Sequence, residues 1–424
     1  MELKIERLSD NGDGIGFIDG KVVFVPKTVP GDVILIKDIK DYKKYYRGSL
    51  DTIVGKSDIR CDIECPYYDI CGGCQIMGIS YEKQLEYKKN KVVNIFKKYA
   101  DIDINPFIFG NKQFKYRNKI ILHVSDGKLG LVKYHSHGFV NIDRCLLVSD
   151  KINEVIKIIN DKLDLVDVSK IMLREAINGD IMVKFYGDIS CEQIVNSLDG
   201  IVKSIYVGDK LVFGDERIFS ILNGFSFGIS PESFFQVNYE GMIKIYDRVL
   251  GYINDGDRIL DLYCGSGSIG IYVSSKCSSV FGVEINESAI RDANLNKEIN
   301  GLDNVNFRCG NVDSIIDGKY RCDTVIVDPP RGGLNKKTRD ILLDVNSDKI
   351  IYVSCDAITL ARDINYLKSK YYLEDITLID MFPNTYHVES VACLKLISDW
   401  FFFCYFTKWY KYAIICLEVF LDES

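Results

Sequence analysis

The sequence predicts an α/β protein with a doubly wound parallel sheet in its carboxyl-terminal half, a small β-barrel at its amino terminus and an α+β region between them. From Asp257 onward, apolar strand-like runs alternate with helical or turn stretches, in the order RILDLY, VFGVEI, VNFRCG, DTVIVDPP and KIIYVSC. This alternation is typical of parallel sheets covered by helices. In residues 2–55, glycines and Pro30-Gly31 separate short β-rich runs, which suits a small barrel. Between these parts a Lys-rich helix is predicted over Tyr81–Tyr99.

The composition indicates a globular protein of several domains. The chain has 424 residues, 47% of them hydrophobic and 27% charged, which is too long for one ordinary core and too apolar for a disordered chain. Fourteen cysteines are scattered along it. The segment Met1–Asp10 lacks the features of a secretory signal. We therefore expect a cytoplasmic location, where cysteines serve as thiols, metal ligands or catalytic groups.

The charge is unevenly distributed. A net charge of -7 argues against a nucleic-acid partner, yet the stretch 83–119 holds ten Lys or Arg against three acids. The run KDYKKYYR, Lys40–Arg47, alternates lysines with tyrosines, and FKYRNK, Phe114–Lys119, mixes charge with aromatic rings. Both compositions favour RNA contacts; a barrel without a ligand and a solvated basic face are the alternatives.

A nucleotide-type site is predicted at DLYCGSGSIG, Asp261–Gly270, where a strand should give way to a helix. Its glycines allow close approach to a ligand. Glu284 ends the next strand, about 20 residues further along the chain, where an acid can accept ribose hydroxyls. These features alone fit NAD as well as S-adenosylmethionine. Asp328-Pro329-Pro330 at the end of a later strand has no use in a dinucleotide enzyme, and the combination resembles the S-adenosylmethionine-dependent methyltransferases.

Cys355, in YVSCD, ends another strand of the same predicted sheet. A buried core cysteine is the ordinary interpretation. A cysteine beside a methyl donor has a known chemical use, however. In an enzyme that methylates carbon 5 of uracil, that carbon attacks a methylsulfonium only after a thiolate has added to carbon 6, so the enzyme needs a cysteine at this place. A base must then remove the carbon 5 proton, for which Glu389 in PNTYHVES is the candidate.

Five segments occur in the order found in the RNA 5-methyluridine (uracil-C5) methyltransferases of the RumA and TrmA type, which the chain resembles over roughly residues 1–398. They are SPESFFQVN, DLYCGSGS, VDPPRGGL, YVSCD and FPNTYHVESV. The resemblance implies a Rossmann-like methyltransferase domain with Cys355 as nucleophile and Glu389 as base. It also implies four contacts to S-adenosyl-L-methionine: Gln236, Tyr263, Glu284 and Asp328.

One departure from the family pattern follows the nucleophile. The family usually continues with Asn-Pro, whereas this chain has Asp356-Ala357. Asp is close to Asn in size, and Ala lacks only the backbone restraint of Pro. The nucleophile assignment therefore stands, and a less rigid loop is expected.

The stretch CDIECPYYDICGGC supplies three thiolates on a short loop, from Cys65, Cys71 and Cys74. Thiolate ligands suit zinc or an iron–sulfur cluster equally. The resemblance adds Cys145 as fourth ligand and favours a [4Fe-4S] cluster with a structural role. Cys61 lies outside this pattern and is expected to be a spare thiol.

The predicted domains are a TRAM-like, OB-like RNA-binding barrel (1–57), a central RNA-binding domain with the cysteine cluster (58–230), a methyltransferase domain (231–398) and an aromatic extension (399–424). A barrel together with a cluster is typical of the ribosomal members of the family, so 23S rRNA is the expected substrate. No membrane and no obligate protein partner are expected.

Three alternatives remain beside a tRNA substrate. An adenine amino-group methyltransferase usually has an aromatic residue after the two prolines, where this chain has Arg331. A cytosine carbon 5 enzyme usually has a proline before its cysteine, where this chain has Ser354. The third alternative is a non-catalytic iron–sulfur RNA-binding factor.

Overall fold

The computed structural model describes residues 1–136 and 138–397; the predicted extension 399–424 lies outside these ranges. The amino-terminal six strands form one sheet in the order β1-β5-β6-β4-β3-β2. Alternate apolar residues of these strands point inward around Ile5, Val23 and Ile34, as expected for a small barrel. The strands are β1 (Glu2–Lys4), β2 (Arg7–Leu8), β3 (Gly14–Ile18), β4 (Lys21–Val25), β5 (Val33–Asp41) and β6 (Tyr46–Gly55).

Helix α1 (Tyr81–Tyr99) has the predicted bounds, and strand β7 (Phe107–Phe109) follows it. The central region is a seven-stranded sheet in the order β10-β9-β8-β11-β12-β13-β14. Two helices share an apolar core with this sheet. In chain order the elements are β8 (Lys119–Ser125), β9 (Lys128–Val132), β10 (Phe139–Asn141), α2 (Asp150–Lys162), β11 (Val168–Glu175), β12 (Ile181–Gly187), α3 (Cys191–Leu198), β13 (Ser204–Val207) and β14 (Lys210–Gly214). A hairpin of β15 (Ile218–Leu222) and β16 (Phe225–Ile229) leads onward.

The carboxyl-terminal region is the predicted doubly wound sheet. Its elements are α4 (Tyr239–Tyr252), β17 (Arg258–Leu262), α5 (Ser268–Val273), β18 (Ser279–Glu284), α6 (Glu287–Ile299), β19 (Val305–Cys309), α7 (Val312–Ile315), β20 (Thr324–Val327), α8 (Lys336–Val345), β21 (Lys349–Ser354), α9 (Ala357–Leu367), β22 (Tyr371–Ile379) and β23 (Glu389–Leu396). The sheet order is β19-β18-β17-β20-β21-β23-β22-β7, and β17 to β21 are parallel. All five predicted strand runs are confirmed. Separate apolar cores cover its two faces.

The amino-terminal half also contributes to this sheet. Strand β7 pairs in parallel with β22, and α1 packs against α9 through Val92 and Phe96. Lys88 of α1 is fully buried in an ion pair with Asp380. The domain boundaries stay predictions, but α1 and β7 belong to the carboxyl-terminal core by packing.

Within the described ranges, no helix has both the length and the apolar character that crossing a membrane requires.

Candidate active site

Four of the predicted residues lie at the carboxyl edge of the parallel sheet. Tyr263 follows β17, Glu284 ends β18, Asp328 follows β20 and Cys355 follows β21. The register aligns these strand ends, since Leu262 pairs with both Val283 and Val327, and Val327 pairs with Tyr352. Open α/β sheets bind ligands at this edge.

The loop after β17 is shaped to hold a ligand against the backbone. Tyr263 has a φ of +63°, and Gly265 and Gly267 have positive φ values of +54° and +75°. The Gly265 N–H donates to Glu284 Oε2 at 3.3 Å, and the Asn286 N–H donates to Glu284 Oε1 at 2.9 Å. No atom would lie within 4 Å of a Cβ on Gly265, so that side of the loop is open to a ligand.

The segment SPESFFQVN borders the same loop. Ser266 donates to the carbonyl of Phe234 at 3.3 Å, and Asn118 donates to the carbonyl of Gln236 at 3.0 Å. Phe234 is 68% exposed, although it is a large apolar residue. Sequence reasoning missed Phe234, and its exposure beside the glycine loop is visible only in the fold.

Cys355 and Glu389 are brought together by strand register. Ser354 of β21 pairs with Ser390 of antiparallel β23, so the residue after Ser354 lies opposite the residue before Ser390. Burial and the nearby charges of Glu389 and Asp328 raise the pKa of the Cys355 thiol to about 11. Burial and the Asp328 charge raise the pKa of Glu389 to about 8.

Asp328 and its neighbour Asp261 also have raised pKa values. Burial raises the pKa of Asp328 to about 7, and burial with the neighbouring Asp328 charge raises that of Asp261 to about 8. Arg331 is the cation that opposes these shifts at Cys355 and Glu389. Carboxyl groups concentrated at this edge of the sheet suit a positively charged ligand, and the sulfonium and ammonium groups of S-adenosylmethionine meet that requirement. Sequence reasoning considered Arg331 only as a non-aromatic residue, and it gave Asp261 no role of its own.

The departure from the family pattern at Asp356-Ala357 leaves the loop that carries Cys355 well anchored. Asp356 is the N-cap of α9, and its side chain accepts the Thr359 N–H at 2.9 Å. Ser354 Oγ both donates to the Asp356 carbonyl and accepts its N–H. Asp caps helices as well as Asn does, and Ala357 takes the first helical position, where Pro is favoured but not required. The expectation of a less rigid loop is therefore not supported.

The four predicted cysteine ligands line one pocket together with Tyr67, Tyr68 and Ile142. Burial raises the thiol pKa of Cys65, Cys74 and Cys145. Lys27 from the barrel is buried against this loop and donates to the carbonyls of Cys71 and Cys74. Cys61 does not line the pocket. Among the described side chains, none form a group of three or more placed to bind a single metal ion.

The segment FKYRNK is partly structural. Tyr116 is buried and donates to the Pro383 carbonyl at 3.1 Å, and buried Asn118 bonds to the backbone of Gln236 and Val237. Lys115 remains exposed and pairs with Asp150. The segment thus fastens the central region to the site.

The fold and the edge site define an S-adenosylmethionine-dependent methyltransferase, and comparison with known proteins specifies it. Residues 308–397 match the tRNA (Uracil-5-)-methyltransferase family, residues 1–50 match the TRAM domain and residues 249–344 match the methyltransferase small domain. The predicted barrel is confirmed as a TRAM domain.

Relatives match over nearly the whole chain. An uncharacterized RNA methyltransferase of Bacillus cereus is 31% identical over 94% of this chain and 97% of its own, and one of Clostridium acetobutylicum is 32% identical over 94% and 97%. The crystal structure of Pyrococcus abyssi tRNA (uracil-54, C5)-methyltransferase with S-adenosyl-L-homocysteine superposes with a TM-score of 0.78, at 30% identity over 93% of this chain and 100% of that one. The chain belongs to the RNA uracil-5-methyltransferase family.

Proposed function

We propose that Cys355 is the nucleophile and Glu389 the base with which this enzyme methylates carbon 5 of uridine. The observation that carries the proposal is their juxtaposition across β21 and β23, next to Asp328 and the glycine loop. S-adenosylmethionine supplies the methyl group when bound.

In the first step the Cys355 thiolate forms a bond to carbon 6, and the carbon 5–carbon 6 π electrons move to the carbon 4 oxygen as an enolate. Carbon 5 then takes the methyl group, with S-adenosylhomocysteine as leaving group. The Glu389 carboxylate removes the carbon 5 proton, the double bond re-forms, and the thiolate leaves.

The raised pKa values fit this sequence of steps. Cys355 and Glu389 are mostly neutral near pH 7 in the resting protein, because their pKa values lie near 11 and 8. A cationic ligand beside them favours their ionised forms. Binding of the positively charged methyl donor should therefore shift Cys355 toward its thiolate and Glu389 toward its carboxylate, the forms that react.

We further propose Gln236, Tyr263, Glu284 and Asp328 as the residues that contact S-adenosylmethionine. Glu284 uses one lone pair on each oxygen for Gly265 and Asn286. Each carboxylate oxygen has a second lone pair, so the group can still accept two ribose hydroxyls.

For the cysteine pocket we propose a [4Fe-4S] cluster on Cys65, Cys71, Cys74 and Cys145, with zinc as the weaker candidate. The four thiols line one pocket, and four thiolates are the ligand set of a [4Fe-4S] cluster. Anaerobically purified protein should be brown with about four irons per chain, and stoichiometric zinc without iron would overturn this assignment.

We propose 23S rRNA as the substrate, supported by the combination of barrel and cysteine pocket. On the barrel, the exposed rings of Tyr42 and Tyr45 stack with centroids 5.1 Å apart beside Lys43 and Lys44, an arrangement that suits single-stranded bases. A tRNA is the second candidate, because the similar Pyrococcus structure is that of a tRNA-modifying enzyme and extends over 93% of this chain. The target base must be flipped out of its stack in either case. We place the reaction in the cytoplasm.

The experiment is to map 5-methyluridine in ribosomal and transfer RNA from a strain lacking the gene. Loss from 23S rRNA is expected, and loss confined to tRNA would refute the substrate proposal. Complementation with Cys355→Ala tests the mechanism, since this variant should bind RNA without methylating it. Continued methylation would exclude Cys355 as nucleophile, and wild-type protein without any methylation would favour a non-catalytic RNA-binding factor.

A further inference from the structure

Asn384 lies in the loop between β22 and β23, five residues before Glu389 and fully buried. Its φ is +68°, a left-handed conformation that Asn adopts more readily than most residues. A buried polar residue in this conformation persists only when its surroundings hold it there, so its partners are informative.

Every polar group of Asn384 has a partner from the amino-terminal half of the chain. Its N–H donates to Gln84 Oε1 at 2.9 Å, and its Oδ1 accepts from Gln84 Nε2 at 3.2 Å. Its Nδ2 donates to the Gln113 carbonyl at 2.8 Å. Its carbonyl accepts the N–H groups of Gln75 and Ile76 at 3.0 and 3.1 Å.

These partners come from three different segments. Gln84 is on α1, and Gln113 directly precedes FKYRNK. Gln75 and Ile76 directly follow Cys74 of the cysteine loop. One residue therefore joins the helix, the basic segment and the cysteine loop to the loop that enters β23.

Glu389 is the first residue of β23, so the sheet fixes the chain only from Glu389 onward. The residues before Glu389 belong to the loop, and their positions depend on the contacts that the loop makes. Asp380 and Phe382 at the start of the loop are held by Lys88, and Thr385 closes a turn onto the Phe382 carbonyl at 2.8 Å. Asn384 is thus the central attachment of this loop.

We propose that Asn384 is a positioning residue for the base Glu389, which ties the proton-removal step to contacts with the cysteine loop and the basic segment. This proposal rests on Glu389 being the base. Displacing a reacting group by about 1 Å can cost about 100-fold in rate. Loss of the Asn384 contacts should therefore slow removal of the carbon 5 proton, while thiol addition and methyl transfer, which use Cys355 on β21, continue.

The test separates these two stages in a single turnover. The full-length protein is mixed with RNA from a strain lacking the gene and with S-adenosylmethionine carrying a labelled methyl group, and samples are quenched in detergent. Label in a protein–RNA adduct reports methyl transfer, and label in free RNA reports proton removal and release. The variants are Asn384→Gly, which tolerates the left-handed backbone, and Gln84→Met, which removes the side-chain partner from α1. Asn346→Gly is the control, since Asn346 also has a positive φ of +54° but caps α8 away from the site.

We expect methyl transfer within about threefold of wild type and release slowed by about 10- to 100-fold, so that labelled adduct accumulates in both variants but not in the control. Equal slowing of both stages, in proportion to a loss of folded protein measured by thermal melting, would reduce Asn384 to a structural role and overturn the proposal. Unchanged release would also overturn it. Glu389→Gln should trap the adduct more completely. If Glu389→Gln traps no adduct, the base assignment itself is wrong; if it traps adduct and Asn384→Gly does not, only the positioning role fails.

Discussion

The Cys355 thiol should titrate far above an ordinary cysteine in the protein without ligand. Burial is the main cause, and the charges of Glu389 and Asp328 add to it, which places its pKa at about 11. A free thiol has a pKa of about 8.5. At pH 8 the thiolate fraction of Cys355 is therefore about 200-fold smaller than that of a free thiol.

The alkylation rates of Cys355 and of a free thiol should differ by less than this factor. A thiolate of higher pKa is the stronger nucleophile, with a Brønsted coefficient of about 0.4 to 0.5, which returns a factor of about 10 to 18 over this difference. Alkylation of Cys355 at pH 8 should therefore be about 10- to 20-fold slower than that of a free thiol. Because the Glu389 carboxylate is the largest charge that raises the thiol pKa, Glu389→Gln should move the midpoint downward.

The assay is iodoacetamide labelling between pH 7 and 11, with the Cys355 peptide quantified by mass spectrometry. Cys191, exposed at the start of α3, controls for the reagent. S-adenosylmethionine should accelerate labelling more than S-adenosylhomocysteine does, since only the former carries the sulfonium charge. A midpoint below about pH 9 in the ligand-free protein, or no difference between the two ligands, would refute the electrostatic argument.

Three other predictions each concern the replacement of one residue. Glu389→Gln should raise the melting temperature in calorimetry at pH 8 and not at pH 4. Burial raises the pKa of Glu389 in the folded protein to about 8, above the value of about 4.3 in the unfolded chain, so the folded protein loses stability as the pH rises between these values. Equal melting of variant and wild type at pH 8 would contradict this. Asp356→Asn keeps the helix cap but removes a charge that raises the Cys355 pKa, so a lower alkylation midpoint is expected, and an unchanged midpoint would exclude this charge effect. Gly267→Ala would place a Cβ 2.4 Å from the Phe307 ring at a φ of +75°; titration calorimetry should show weaker S-adenosylhomocysteine binding, and wild-type affinity would show that the loop can adjust.

The parallel sheet and its edge residues could be predicted because both depend on local sequence. Apolar runs such as TVIV and KIIYVS form strands that are buried on both faces, and parallel strands must end at one edge. Tyr263, Glu284, Asp328 and Cys355 are placed by that rule alone. Glu389 needed more, since it lies on an antiparallel strand inserted beside β21. The need for a base and the family motif pointed to it, but neither placed it opposite Cys355.

The contacts that hold the site together could not be read from the sequence, because they join residues far apart in the chain. The Lys-rich pattern of α1 indicates an RNA surface, yet Lys88 is buried against Asp380, 292 positions away. Gln84 and Asn384 are 300 positions apart. Neither residue type carries a signal, since Gln and Asn are ordinary on a helix and in a turn. Charge and composition predict what a surface can bind, but they do not tell which charges are used in packing.

The burial of Lys88 and Gln84 also changes how the basic stretch 83–119 should be interpreted. A helix that only bound RNA would turn its lysines outward, and loss of one would weaken binding with little effect on the chemistry. Here α1 packs its apolar face on α9, the helix that Asp356 caps behind Cys355, and its polar buried face on the loop that leads to Glu389. The helix therefore contacts the supports of both the proposed nucleophile and the proposed base, so a shift of α1 would move Cys355 and Glu389 together.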